Sequence, residues 1–364
     1  MCVDLTVLNR GVKREIYPLP KVSDLLSQLA EGKLYSKLDA NSGFWQVKLD
    51  RESRLLTTFI TPWGRFCFRR MPFGISSAPE FFQRCMKKIL DGLPGVQCMM
   101  DDVLVYGSDA AQHWQRLRDV LSRIQKCGIT LRKDKCVFGQ TEVKFLGHVI
   151  SESGVSADPE KVKAVREMSP PQCRKDARRF IGMVNYLSKF SPNIAKLCAP
   201  INSVVGSRSE WIWDNDQQIA FDSVKDELSR TPVLCIFDPS KIHRVSADAS
   251  KLALGAVLLQ SADGRRWQPV EYASRKMTSA ETRYAMVEKE ALAITWACEK
   301  FDYYLVGREF QIENDHKPLV SILGDKDLSK LPHRVQRFKM RMLHYSCEIF
   351  HTPGELMYLV DALR

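Results

Sequence analysis

The sequence predicts a mixed strand-and-helix protein of two or three domains. Three observations predict it. At 364 residues the chain exceeds what one small core organises. Short β-branched and aromatic runs alternate with amphipathic stretches of helical period. Breakers punctuate the pattern, the clearest being Ser169-Pro170-Pro171, where we place a subdomain boundary. The polar segment 206–210 and the stretch 230–241 mark a second transition. With 45% apolar and 27% charged residues, the composition is that of a soluble globular chain. A chain this long buries enough apolar surface to fold without disulfides.

The elements follow in order. Residues 21–30 read as an amphipathic helix, and "LYSKLD" as a strand ending at Asp39. "TTFITPWGRFCFRRMPFG" reads as a hairpin turning at Pro62–Gly64. Ser77 and Glu80 have capping-box spacing, and Phe82, Cys85, Met86 and Ile89 then share one helical face. "VQCMMDDVLVYG" is an apolar strand-like run with a hairpin tip at its centre. A helix over 110–126 follows, with Trp114, Leu117, Leu121 and Ile124 in register and Gly128 past its end. "KFLGHVI" is strand-like, and 174–190 is helical. In the last third, "HRVSADASKLALGAVLLQ" suggests two strands. Thr278 and Glu281 open a long helix reaching Leu305, and "REFQIEND" is a strand ending at Asp315.

The formal net charge of +11 favours a polyanionic partner, nucleic acid before membrane. Eleven cysteines stand as singletons without a Cys-x-x-Cys, which points to reduced thiols inside a cell and away from a disulfide framework. No signal peptide and no long apolar span is found, so neither secretion nor membrane insertion is expected.

Acidic residues carry the chemistry. Asp39 closes one strand, while Asp101 and Asp102 interrupt another at its turn. If the two strands are neighbours, three carboxylates converge. Two such charges about 4 Å apart repel by roughly 4 kcal/mol at an effective dielectric near 20. Divalent cations convert that repulsion into ligation, and oxygen-only ligands suit Mg²⁺, with Mn²⁺ the alternative. A second set comprises Asp248, Glu290, Asp315 and Asp361. Glu290 has Met286, Ala293 and Ala297 as its helical neighbours, an apolar stripe where a solvated acid is out of place. Both sets fit paired metal ions acting on phosphate esters. Taken singly, acids at strand ends are ordinary turn residues, and for Asp361 that reading is the better one.

At the level of whole motifs, "YSKLDANSGFWQVKL", "TTFITPWGRFCFRRMPFGISSAPEFFQRCM", "MMDDVLVYG" and "FLGHVIS" resemble the reverse transcriptase of gypsy-type LTR retrotransposons. "ADASKLALGAVLLQ", "EKEALAITWACEKFDYYLVGREF", "DHKPL" and "HTPGELMYLVDALR" resemble the RNase H domain that follows it. The resemblance covers nearly all of the chain. It implies an α+β right-hand polymerase of fingers, palm and thumb, followed by an RNase H-like α/β domain. The expected divisions are 1–150 for fingers and palm, 151–232 for thumb and connection, and 233–364 for the RNase H-like domain.

By position, the resemblance gives Asp39, Asp101 and Asp102 to the polymerase metals, and Asp248, Glu290, Asp315 and Asp361 to the nuclease metals. It places Phe44 under the incoming sugar, and Pro72, Phe73 and Gly74 along the nucleotide pocket. Phe145, Leu146, Gly147 and His148 match the segment that grips the primer end. Met99 stands where such enzymes usually carry an aromatic residue, and Met357 where they usually carry Asn. The chain begins inside the first fingers motif, so its polymerase domain reads as N-terminally truncated. The implied partners are an RNA template, a DNA or tRNA primer, an RNA–DNA hybrid and dNTPs. The implied location is intracellular, in a cytoplasmic retroelement particle or the nucleus.

The rival reading is a truncated or domesticated remnant that binds nucleic acid without polymerising. The presence of all seven acids argues against it. A weaker third reading is an RNase H with an inactive polymerase half. Among lesser features, His316 reads as a turn histidine and Trp211 and Trp213 as helix-packing residues. Arg69 and Arg70 divide between template phosphate contact and solvation.

Overall fold

The computed structural model describes residues 3–14, 16–206, 210–230, 232–354 and 357. The chain forms two compact units, Met1–Glu152 and Ser153–Arg364.

The first unit begins with helices α1 (Thr6–Gly11) and α2 (Val22–Ser27), strand β1 (Leu34–Asp39) and helix α3 (Arg51–Leu56). The hairpin β2 (Phe59–Thr61) and β3 (Gly64–Phe66) comes next, then helix α4 (Ala78–Leu90). Strands β4 (Val96–Met99) and β5 (Asp102–Gly107) lead to helix α5 (Ala110–Lys126) and to β6 (Val137–Gln140), β7 (Glu142–Phe145) and β8 (His148–Ser151). Four of these strands form an antiparallel sheet in the order β4-β5-β1-β6. Phe82, Met86 and Leu90 are spaced by four along α4 and make one apolar stripe. They join Leu117, Val120 and Ile124 of α5 over Leu38, Val103 and Val105 of the sheet. Burying each large apolar side chain there contributes about 1.5–3 kcal/mol.

Local signals account for much of this, with corrections. Asp109 caps α5 by accepting from the Gln112 amide at 2.9 Å, and Gly128, at φ +72°, ends it in the left-handed region. Trp114 is 43% exposed, and His113 and Val120 take buried places on α5 instead. Ser77 precedes α4 but makes no side-chain cap. Glu80 is buried and accepts from Arg14 Nε at 2.7 Å instead. The 21–30 helix is shorter than expected, and "KFLGHVI" is a hairpin rather than one strand, because Leu146 (φ +50°) and Gly147 (φ +75°) turn the chain.

The second unit opens with β9 (Gly154–Ala157) and five helices: α6 (Pro159–Arg166), α7 (Arg174–Leu187), α8 (Ile194–Leu197), α9 (Ala199–Val205) and α10 (Asn215–Leu228). The Ser169-Pro170-Pro171 break falls between α6 and α7. Phe180 and Phe221 meet at 4.6 Å between ring centroids, and Trp213 packs edge-on against Phe221. Strands β10 (Ile242–Ala249), β11 (Ala253–Ser261) and β12 (Gln268–Lys276) follow, then α11 (Met286–Lys300), α12 (Asp302–Leu305) and β13 (Glu309–Asn314). The last elements are α13 (Pro318–Leu323), α14 (His333–Met342) and β14 (Ser346–His351). The sheet order is β12-β11-β10-β13-β14, antiparallel through β10 and parallel beyond it.

Buried Ala291, Ala293 and Ala297 of α11 share a core with Val245 and Ala247 of β10, and their small size lets the helix approach the sheet closely. Thr278 and Glu281 do form reciprocal capping bonds, yet these close a single 3₁₀ turn. The long helix begins later, where the Ala285 amide donates to Glu288 at 3.1 Å. Among the described residues no helix is long and apolar enough to cross a membrane.

Candidate active sites

The first acidic cluster is a product of strand register. Strands β1 and β5 pair so that Asp39 stands opposite Asp102. Side chains opposite each other share a face about 5 Å apart, and like charges there repel. Asp101 lies in the two-residue turn between Met99 and Asp102, which are themselves cross-strand partners. The Ala40 amide donates to the Asp101 carbonyl at 2.8 Å and ties that turn to the end of β1. The resulting electrostatics are visible in the ionisation of Asp101. Burial, then the charges of Asp39 and Asp102, push its carboxyl above the usual range, against the pull of Lys135 and the Gly43 amide. Two lysines offset the remaining charge: Lys37 Nζ sits 2.9 Å from Asp102, and Lys135 Nζ 3.6 Å from Asp39.

The residues around this cluster are built to fit. A Cβ on Gly43 would lie 2.0 Å from Asp101 Oδ1 and 2.5 Å from the Phe82 ring, so only glycine leaves room for the carboxylate. Phe44 follows, its ring 5.2 Å from Phe73 and 5.6 Å from Phe82. Pro72 is buried, Phe73 is 54% exposed, and Gly74 takes φ +96°. Met99 is half-buried on the face it shares with Asp102. Leu146 and Gly147 occupy the β7–β8 turn, whereas Phe145 is wholly buried and anchors that hairpin to the core. His148 is also buried, and its Nδ1 lies 2.9 Å from the Leu146 carbonyl.

Three amide side chains hold these loops, and the sequence reading assigned a role to none of them. Gln83, only 3% exposed, donates to the Cys98 carbonyl at 2.9 Å and accepts from the Met100 amide at 2.6 Å. It brackets a turn in which Met100 holds φ +54°, a conformation costing a non-glycine residue about 1–2 kcal/mol. Asn9 donates to the Gly74 carbonyl at 2.7 Å and accepts from the Ser76 amide at 2.9 Å, pinning the chain where it leaves the 72–74 loop. Gln46 exchanges bonds with the Thr130 backbone and donates to the Asn41 carbonyl. Glutamine on an apolar helix face was the available signal for Gln83.

The second cluster is assembled from three separate elements. Asp248 lies near the end of β10, opposite Gly255 of β11. Glu290 projects from the buried face of α11, and Asp315 follows β13, which runs parallel beside β10. One carboxylate oxygen from each lies within 4.8 Å of the other two. Of the neighbours expected for Glu290, Ala293 and Ala297 are buried, while Met286 is half-exposed. The Asp315 turn is held from β14: His351 Nε2 donates to the Asp315 carbonyl at 3.1 Å, and Thr352 donates to the Asn314 carbonyl at 3.0 Å. His316 bonds through its amide to the Asn314 side chain, as a turn residue does. Met357 is buried, and Asp361 lies outside the described residues.

Comparison with known proteins identifies the domains. Residues 1–150 match the reverse transcriptase (RNA-dependent DNA polymerase) family, and residues 213–312 match the RNase H-like domain found in reverse transcriptase. The chain carries a reverse transcriptase domain followed by an RNase H-like domain. Its relatives include the retrovirus-related Pol polyprotein from transposon opus of Drosophila melanogaster, 34% identical over 377 residues, covering all of this chain and 37% of the polyprotein. The transposon Tf2-3 polyprotein of Schizosaccharomyces pombe is also 34% identical, over 367 residues, covering all of the chain and 28% of the polyprotein. The chain thus spans about a third of the length of these relatives. Two foamy viral protease–reverse transcriptase structures share the fold. One, in complex with dsDNA, has a TM-score of 0.87 at 19% identity over 97% of this chain and 75% of that one. The other, in complex with RNA/DNA hybrid, has a TM-score of 0.83 at 20% identity over 96% of this chain and 48% of that one.

Reverse transcriptase and RNase H-like domains use divalent metal ions. The residues of this chain fit them. In the first cluster Asp101 Oδ1 is buried without a hydrogen-bond partner among the described residues, beside two further carboxylates. In the second, three carboxylate oxygens already stand at ligating separation.

Proposed function

We propose that this chain polymerises DNA on an RNA template and cleaves the RNA strand of the resulting hybrid, in a gypsy-type LTR retrotransposon. The observation that carries the reading is the β1–β5 register, which sets Asp39 against Asp102 with Asp101 in the adjoining turn. In this reading residues 1–150 supply fingers and palm, 151–232 thumb and connection, and 233–364 the RNase H-like domain. Asp39, Asp101 and Asp102 would hold one pair of Mg²⁺ ions, with Mn²⁺ a substitute, and Asp248, Glu290 and Asp315, with Asp361, would hold another. Bound there, such cations acidify an attacking hydroxyl or water and neutralise the departing oxygen.

The chain's own groups position the reactants. Phe44 and the 72–74 loop bound the incoming dNTP, with Phe44 crowding the place of a ribose 2′-hydroxyl. Met99 packs beneath the primer end, and the Leu146–Gly147 turn supports the primer strand. Gln83, bonded to Cys98 and Met100, fixes the turn that carries Asp101. The basic balance of the chain holds the duplex by its phosphates, so binding falls steeply with salt. The partners are an RNA template, a DNA or tRNA primer, dNTPs and the RNA–DNA hybrid, within a cell. Primer extension on poly(rA)·oligo(dT) tests the polymerase reading, with Asp101→Asn as the control. Absence of extension by the unmodified chain ends it. Cleavage of labelled hybrid, lost in Glu290→Gln, tests the nuclease reading.

A further inference from the structure

From the first acidic cluster a line of touching aromatic rings runs outward along the β2–β3 hairpin. Phe44, beside Gly43 and the acids, contacts Phe73 at 5.2 Å between centroids. Phe73 contacts Trp45 at 6.4 Å, and Trp45 contacts Phe68 at 5.7 Å. Phe68 meets Phe59 at 5.2 Å, and Phe59 stacks on Phe66 at 6.2 Å across the hairpin. Phe44, Phe68 and Phe59 are half-buried. Phe73, Trp45 and Phe66 are 54%, 42% and 48% exposed, and Trp63 at the hairpin turn is 86% exposed. A contiguous run of exposed rings is costly in water unless something covers it.

Charge identifies the cover. Exposed Lys48, Arg69 and Arg70 border the line, and Arg70 donates to the Gln46 carbonyl, next to Trp45. The acids of the stretch 48–70 are Asp50 and Glu52, and Asp50 is occupied in capping α3. Flat rings interleaved with cations suit unpaired nucleotides, whose bases stack while phosphates meet the basic side chains. A second copy of this chain would bring the same positive charge to the same surface and be repelled.

We propose that this ring line is a stacking track for the unpaired template strand ahead of the polymerase site. The proposal rests on the polymerase reading of the first cluster. The track's inner end meets the templating position, its outer end is Phe66, and exposed Trp63 stands beyond it at the hairpin turn. The rings take bases without sequence preference, keeping the incoming template extended and free of its own base pairing.

The test is equilibrium binding, without dNTPs, of fluorescent RNA–DNA hybrid to the full chain. One hybrid is blunt; the others carry a short or a long single-stranded RNA 5′ extension. In the unmodified chain each stacked base is expected to tighten binding on the order of tenfold. Trp63→Ala with Phe66→Ala is expected to remove the gain from the long extension and leave blunt-hybrid binding unchanged. Trp63→Phe, which keeps a ring, is expected to retain the gain, separating lost stacking from lost fold. Equal affinity for blunt and extended hybrids in the unmodified chain overturns the proposal. So does sedimentation showing dimers that the double variant fails to form. Binding needs no turnover, so a chain that shows the extension effect but extends no primer keeps the track and loses the polymerase reading.

Discussion

The two acidic clusters solve one electrostatic problem by opposite constructions. In the first, two of three acids are consecutive in a turn, and the third lies directly across one strand pairing. In the second, the acids come from a strand end, a buried helix face and a post-strand turn, and sequence separates them by tens of residues. The first therefore depends on backbone geometry at one tight turn, and Lys37 and Lys135 temper its charge. The second depends on how closely α11 lies against β10, which buried alanines set. A turn is disturbed by one lost hydrogen bond, and a helix–sheet seam by one added methyl group.

The largest expected effect is a crossed pair of losses. Asp101→Asn should reduce primer extension on the order of a thousandfold or more and spare hybrid cleavage, while Glu290→Gln does the reverse. Equal loss of both activities in either variant would erase the distinction between the clusters. Next, Gln83→Leu removes both bonds that bracket the Met100 turn. Extension should fall about 10–100-fold with a raised divalent-ion requirement, as for other residues that orient metal ligands. Cleavage by the same preparation, which should not change, reports that the chain is folded.

The packing variants come third. Gly43→Ala drives a methyl group into Asp101 and Phe82, and Ala293→Leu wedges α11 off its sheet. Each should cost about 1–3 kcal/mol in thermal unfolding. The first should weaken extension and the second cleavage. The smallest effect concerns a group outside both clusters. The Arg275 guanidinium, with the Thr278 amide, holds the Glu281 carboxyl down at about 2. A carboxyl lowered on folding contributes stability that is fully present above its unfolded value near 4.5 and is lost as pH falls toward 2. Glu281→Gln should lower stability near neutral pH by about 1–3 kcal/mol and flatten its acid dependence, read as melting temperature against pH.

The elements with strong period or punctuation were legible in advance. β1 carries its end in Asp39 and α5 its end in Gly128, while the Asp109 cap of α5 emerged only in the structure. Trp114 was misplaced because helical period marks a face without saying which of its edges is covered. Thr278 and Glu281 gave a correct capping motif on the wrong element, since such a motif closes any first turn, 3₁₀ or α. Glu80 had cap spacing too, but Arg14, 66 residues away, drew its carboxylate elsewhere.

By itself the sequence determined which residue types end the strands, where the chain must turn, and that acidic side chains recur among apolar runs. These follow from local backbone preference and hydrophobic period, which neighbouring residues fix. Only the tertiary structure decided that Asp39 faces Asp102, that Glu290 meets Asp248 and Asp315, and that Gln83 and Asn9 pin the surrounding loops. Strand register and helix–sheet approach are set by packing between residues far apart in the chain, and no local signal encodes the partner.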